Sequence, residues 1–348
     1  MTQPEAMVLV AALSAFISVI ATVINYLGNR KAQLENERFK LGAAKEIEKI
    51  KEDIAERKSE KDARRDYEYE ARKRLYQQCE PLLFQLYEAS ENALHRIFSL
   101  ARTAKKGDLE PQNSWLGRPG YYLRSTVYNL LAPVALFKLI QGRLTLVDMA
   151  VERSIRRQYS LAKAIYISFT DHFDLAEISP EIPYEGNHPQ QYELRQTEPA
   201  RYWRQGIPIG RLDVAAESLL VRDASGGVKL KSFGEFETEF FEGEDLRIPE
   251  NMRDFIDLFI LFHPRSRPVL WRILVVQAHI YRALLAVAQS GADASTTPLQ
   301  VIPREDRKRF DWRTARDQNP DKEVLDEPFS VCEEYLRTHV RVEGPYKA

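Results

Sequence analysis

The side chains best equipped for chemistry in this chain are arginines, gathered in two places. Residues 304–316 read REDRKRFDWRTAR, six basic residues around Phe310 and Trp312. Guanidinium groups grip phosphates through paired N–H donors, so Arg304, Arg307, Arg309 and Arg313 are candidate anion-binding residues. Aromatics beside cations also stack nucleobases. However, Glu305, Asp306 and Asp311 stand among the bases and cancel half the charge. The segment is therefore weighed as a site for a phosphate-bearing ligand or headgroup against a solvated, internally paired stretch. No nucleic-acid partner is expected.

The second cluster is His263-Pro264-Arg265-Ser266-Arg267-Pro268, which opens a strongly apolar run. N–H groups at a helix start favour anions, which makes Arg265 and Arg267 candidate anion-binding residues as well. The competing expectation is pairing with nearby acids such as Asp254 and Asp257. Asp171-His172-Phe173-Asp174 places an imidazole between carboxylates, but on a helix the two aspartates share a face and the histidine leaves it. A polar helix end is the simpler expectation there. Between Phe233 and Asp245 aromatics alternate with acids, with Phe233, Phe236 and Phe240 at helical spacing. That pattern predicts an amphipathic helix with an acidic outer side, or an anionic surface facing basic groups.

No phosphate loop, dinucleotide fingerprint, zinc-protease helix, serine-hydrolase elbow or CxxC pair occurs. Those motifs mark the common enzyme classes, so no catalytic residue is assigned and no cofactor or metal is expected. The cysteines are Cys79 and Cys332, too few and too far apart for a disulfide framework or a zinc site. Low cysteine usage and the lack of an N-x-S/T site fit a body in a reducing compartment.

The elements that must position these residues begin with an uncharged run, Ala6 to Leu27. About 20 apolar residues are what a helix needs to cross a hydrocarbon core. The preceding MTQPE carries no lysine or arginine, which disfavours a cleaved signal peptide. Arg30, Lys31, Arg38 and Lys40 follow the run. Flanking positive charge stays cytoplasmic, so the expected placement is single-pass in the cell (inner) membrane, N-terminus outside and body cytoplasmic. Ser14, Ser18, Thr22 and Asn25 recur at three- and four-residue steps on one face. Small and hydroxylic side chains there permit close helix approach, which makes them a candidate membrane oligomerisation face.

Residues 29–78 form a charged stem. It lacks proline, contains Gly42 as its one glycine, and is filled with helix formers of both signs. An unbroken helix over these residues would extend ~75 Å at ~1.5 Å per residue. Leu34, Leu41, Ala44, Ile47, Ile50 and Ile54 mark an apolar stripe of imperfect register. A short coiled coil and a solvated single helix both fit it.

Residues 79–348 carry the body. Helical periodicity recurs over Leu75–Phe98, Tyr121–Ile140 and Leu144–Glu177, with Pro81 and Pro133 as predicted kinks or breaks. Residues 179–199, rich in proline, offer a subdivision. Glu198–Val221 reads as helix, Ser225-Gly226-Gly227 as a tight turn, and Val228–Phe233 as a short strand or a helix start. Pro268–Gln289 is apolar enough to suggest a second span. Yet Arg272, His279 and Arg282 interrupt it, and a core helix is the expectation. A last helix is predicted over Pro328–Val342.

The predicted class is mostly α: one transmembrane helix, a helical stem and an all-α body with at most a minor hairpin. With 50 basic and 51 acidic residues the chain has no bulk attraction for polyanions. The body's preference for arginine over lysine fits a GC-rich bacterial source. The expected function is that of a membrane-anchored scaffold or signalling protein. The bilayer is one partner, other copies meet through span and stem, and the body binds a protein of unknown identity. A ligand-gated membrane effector of a bacterial stress or phage-defence response, and an unrecognised enzyme, are the alternatives.

Overall fold

The computed structural model describes residues 3–117, 120–144, 152–170, 207–223, 226–242, 245–289 and 302–313. The predicted Asp171–Asp174 cluster, the 179–199 break and the Pro328–Val342 helix with Cys332 lie outside them. The chain divides into two compact units, Met1–Glu70 and Ala71–Ala348. The described residues are mostly helical, with a few short strands.

Helix α1 runs from Gln3 to Lys105. In the first unit its large apolar side chains are exposed: between Leu13 and Leu27 they range from 42% to 64% accessible. Thr22 Oγ1 donates to the Ser18 carbonyl at 2.8 Å, satisfying a hydroxyl locally in an otherwise apolar stretch. Farther along, Arg64 Nε donates to Glu68 at 3.1 Å. Its carboxylate partner is thus one turn toward the C-terminus.

In the second unit the same helix acquires a buried seam. Leu75, Cys79, Leu86, Ala93, Ile97, Leu100 and Ala104 are fully buried, at steps that keep them on one face. The helix is continuous through residue 78, and the second compact unit begins at Ala71. Pro81 removes one helical hydrogen bond, but α1 continues through it because the turns on either side are held by Leu75, Cys79, Leu83 and Leu86 in the core.

Helix α2 spans Tyr121–Leu144 as one element across Pro133. The proline and its neighbours Ala132 and Val134 are buried, so apolar packing holds the helix where propensity alone predicts interruption. Helix α3, Arg153–Ser168, starts at Glu152, whose carboxylate caps the Ser154 N–H. It is shorter at both ends than the Leu144–Glu177 pattern. Helix α4, Ile209–Ser218, gives way to strand β1, Leu220–Arg222, so the predicted helix over Glu198–Val221 is cut short within its described part. Lys231 Nζ donates to the Ser218 carbonyl at 2.5 Å and closes that helix end.

Strand β1 pairs antiparallel with β2, Val228–Leu230, in the register Leu220–Leu230, Val221–Lys229, Arg222–Val228. At the turn Gly226 has φ +81°, a conformation glycine adopts without Cβ strain, and the Gly227 N–H donates to Asp223 Oδ1 at 2.8 Å. Helix α5, Phe233–Thr238, opens with a reciprocal capping box between Ser232 and Glu235. A second hairpin pairs β3, Phe241–Glu242, with β4, Asp245–Leu246. Helix α6 covers Arg253–Asp257, α7 Pro268–Gln289 and α8 Arg304–Arg307.

Two helices among the described residues, Tyr121–Leu144 and Leu270–Gln289, are long and apolar enough to cross a membrane. Within the fold, 78% and 83% of their apolar windows are buried, and they serve as core helices. Helix α7 packs most extensively on α3. Between them, Gln277 Nε2 donates to Ser168 Oγ at 2.8 Å, with both side chains fully buried.

Candidate functional site

The predicted arginine clusters meet the end of α1 and the turns that follow it. Arg265 Nη1 lies 3.1 and 3.3 Å from the two carboxylate oxygens of Glu110. His263 Nε2 approaches the same carboxylate at 3.7 Å. The Arg265 backbone N–H donates to His263 Nδ1 at 3.1 Å, which assigns the ring proton to Nε2, the nitrogen facing Glu110. Trp312 closes the group: its ring stands edge-on to His263 with centroids 5.4 Å apart, and the Arg265 guanidinium lies 5.9 Å over it. Thus Arg265 and Trp312, from the two separate basic stretches, share one contact.

Beside this group lies a second ion-pair knot. Asp311 receives Lys105 Nζ at 3.2 Å and Arg313 Nε at 2.9 Å. Burial pushes the Asp311 carboxyl up, but the hydrogen bonds and charge of Arg313, reinforced by Lys105, outweigh it and hold the group below the usual carboxylate range. Arg309 lies over Phe98 at 3.7 Å and 3.9 Å from Asp306. Arg267 donates to the backbone carbonyls of Asp257, at 2.5 Å, and Leu258; of the acids expected to receive it, Asp257 does so through its main chain. Arg304 is exposed on α8. Arg307 stands near His279, whose Nδ1 accepts from the Ile302 N–H at 3.3 Å. Burial first, and the Arg307 charge second, pull His279 down to about 3.

Of the six candidate arginines, then, Arg265 and Arg313 are bonded to carboxylates, Arg309 neighbours one, and Arg267 is bonded to main-chain carbonyls. Chemically this is charge neutralisation that clamps residues 302–313 onto the body. Glu110 and Lys105 complete it, and sequence reasoning missed both. They are separated from Arg265 and Asp311 by 155 and 206 positions, and no local pattern marks them. Replacing Glu110 with glutamine removes the carboxylate charge that faces Arg265, whose side chain is 13% exposed. The expected loss is about 1–3 kcal/mol of body stability, read as a lower denaturant midpoint with an unchanged slope.

The acidic-aromatic stretch is helical only over Phe233–Thr238, and its second half pairs Phe241–Glu242 with Asp245–Leu246 as a hairpin. Phe236 and Phe240 are fully buried, and the outer acids meet bases: Glu237 takes Arg124 at 2.7 Å, and Glu239 takes Lys231. A surface concavity of about 330 Å³ lies between α1, α2 and β2, bordered by Phe84, Glu88, Asn92, Tyr128 and Lys229. Its lining mixes apolar, polar and charged side chains. No group of three or more metal-ligating side chains occurs among the described residues.

The candidate membrane face remains. Ser14, Ser18, Thr22 and Asn25 are all exposed along α1, interleaved with Phe16, Ile17, Ile20 and Ile24. No protein-family model, curated protein or solved structure matches this chain.

Proposed function

We propose that this protein is a membrane-anchored scaffold. The first part of α1 sits in the bilayer, the stem carries the body on the cytoplasmic side of the inner membrane, and span and stem bring copies together. The body presents its surface to a protein partner. The observation that carries this reading is the exposure of Leu13, Phe16, Ile17, Val19 and Ile24 on one uncharged helical stretch, each more than half accessible. Water does not tolerate a contiguous apolar surface of that size without a cover, and hydrocarbon is the cover that a run of this length fits.

The pairing of Arg265 and Arg313 with Glu110 and Asp311 supports the scaffold over a ligand-gated effector. An incoming anion would have to displace carboxylates already in place. The test is cross-linking of the full chain in membranes with Ser18→Leu and Asn25→Leu combined. Cross-linked species are expected to fall several-fold while membrane retention is kept. Unchanged cross-linking would remove this face from the assembly, and recovery of the chain in the aqueous fraction would overturn the anchor itself.

A further inference from the structure

Four apolar residues of the stem lie in one heptad register: Ala43, Ile47, Ile50 and Ile54 occupy alternating d and a positions. The three isoleucines are 53%, 56% and 60% exposed along the stem. The flanking positions are sorted by sign. Every g position bordering this seam is acidic (Glu46, Asp53, Glu60), and the e positions that follow are basic (Lys51, Lys58, Arg65). In a parallel coiled coil a g side chain meets the e' side chain five residues on in the facing helix. Here that rule joins Glu46 to Lys51, Asp53 to Lys58 and Glu60 to Arg65 across the seam, in both directions. Antiparallel pairing would instead set g against g and e against e, placing like charges together throughout.

We propose that the stem pairs with a second copy of this chain, parallel and in register, through this seam and its six flanking charges. The proposal rests on the reading that the first segment gathers copies in one membrane. Lys40, Arg57, Lys61 and Arg64 fill the neighbouring core positions and limit the apolar seam to about two heptads, fewer than an independent coiled coil needs. Anchoring supplies what is missing, because copies held in one bilayer share an orientation and meet at high effective concentration. Arg65 already touches Asp62 at 3.5 Å and Asp66 at 3.8 Å along its own helix, so the Glu60–Arg65 link competes with these local contacts. The Glu46–Lys51 and Asp53–Lys58 links carry more of the specificity.

The experiment uses the full chain in membranes with Ala43→Cys as the reporter of the seam and Lys45→Cys as its outward-facing control. Oxidation should link Ala43→Cys chains at least fivefold more than Lys45→Cys chains. Making all three g positions basic (Glu46→Lys, Asp53→Lys, Glu60→Lys) should cut the Ala43→Cys yield at least fivefold. The reciprocal set (Lys51→Glu, Lys58→Glu, Arg65→Glu) should do the same, and co-expressing the two sets should restore linkage between unlike chains. Equal yields at positions 43 and 45, or full linkage within either charge-reversed set alone, would overturn the proposal. Ser18→Cys separates the two ideas. If it cross-links while Ala43→Cys does not, the seam fails and the anchored assembly stands; if neither links, both fail.

Discussion

A chain carrying Ile17→Asp, Ile20→Asp and Ile24→Asp is expected to leave the membrane fraction. These side chains are 61%, 42% and 62% exposed on α1, and none is needed to fill the core of the body. Each aspartate near the centre of a span costs about 2.5–3.5 kcal/mol by insertion scales, against a small gain for each isoleucine it replaces. Ile17 lies near the centre of Ala6–Leu27 and Ile20 and Ile24 nearer its end, so the three together cost roughly 5 kcal/mol or more, enough to reverse insertion. The substituted chain should be recovered in the aqueous fraction, or as aggregate, with the unfolding midpoint of its body unchanged. Matching substitutions of exposed stem residues, such as Ile47→Asp, should leave fractionation unaltered. Retention of the triple variant in carbonate-washed membranes would contradict the anchor.

The second large effect is acid sensitivity of the body. His279 is held at about 3 against an ordinary 6.5, because burial disfavours the imidazolium and Arg307 repels it. The folded value lies below the unfolded one, so between pH 6.5 and 3 the unfolded chain binds a proton that the native chain refuses. The stabilising contribution is fully present above pH 6.5 and declines as pH falls, by about 1.4 kcal/mol per unit in the steep part of that window. His279→Gln retains an acceptor for the Ile302 N–H and removes the titration. It is expected to lower stability at pH 7.5 and to flatten the decline between pH 6 and 4. A parent and a variant that lose stability in parallel over this range would show that another group governs the acid response.

Several parts of the fold are written locally in the chain. Arg272, His279 and Arg282 mark Pro268–Gln289 as a core helix rather than a span, and 83% of the apolar window within it is buried. The spacing of Phe233 and Phe236 announces the start of a short helix, though it ends at Thr238, before Phe240, and Gly226 with Gly227 announces the hairpin turn. Other parts depend on distant packing. Pro81 and Pro133 read as interruptions because propensity is a local quantity, yet both sit in unbroken helices whose neighbouring turns are buried. Helix α4 ends at Ser218, where Leu220–Arg222 pairs into a hairpin and the Lys231 ammonium that follows it donates to the Ser218 carbonyl.

The arginine clusters show the same division. Their charge is legible, but their partners are not. Glu110 sits in a turn segment with no pattern of its own, yet its carboxylate lies against Arg265. Asp311 was legible as a neighbour of Arg313, whereas Lys105, at the far end of α1, was not. The charge order of the stem lies in between. Its acids and bases look merely interspersed, and they fall into g and e positions only in the register of the proposed seam through Ile47, Ile50 and Ile54.

The most direct test of the account is the mass of the full chain captured in lipid nanodiscs straight from the membrane. Masses corresponding to two or more copies per disc are expected, falling to single copies when Ser18→Leu and Asn25→Leu are combined with the three g-position lysines. Single copies of the unaltered chain at every expression level, or its absence from the discs, would contradict a membrane-anchored scaffold assembled through span and stem.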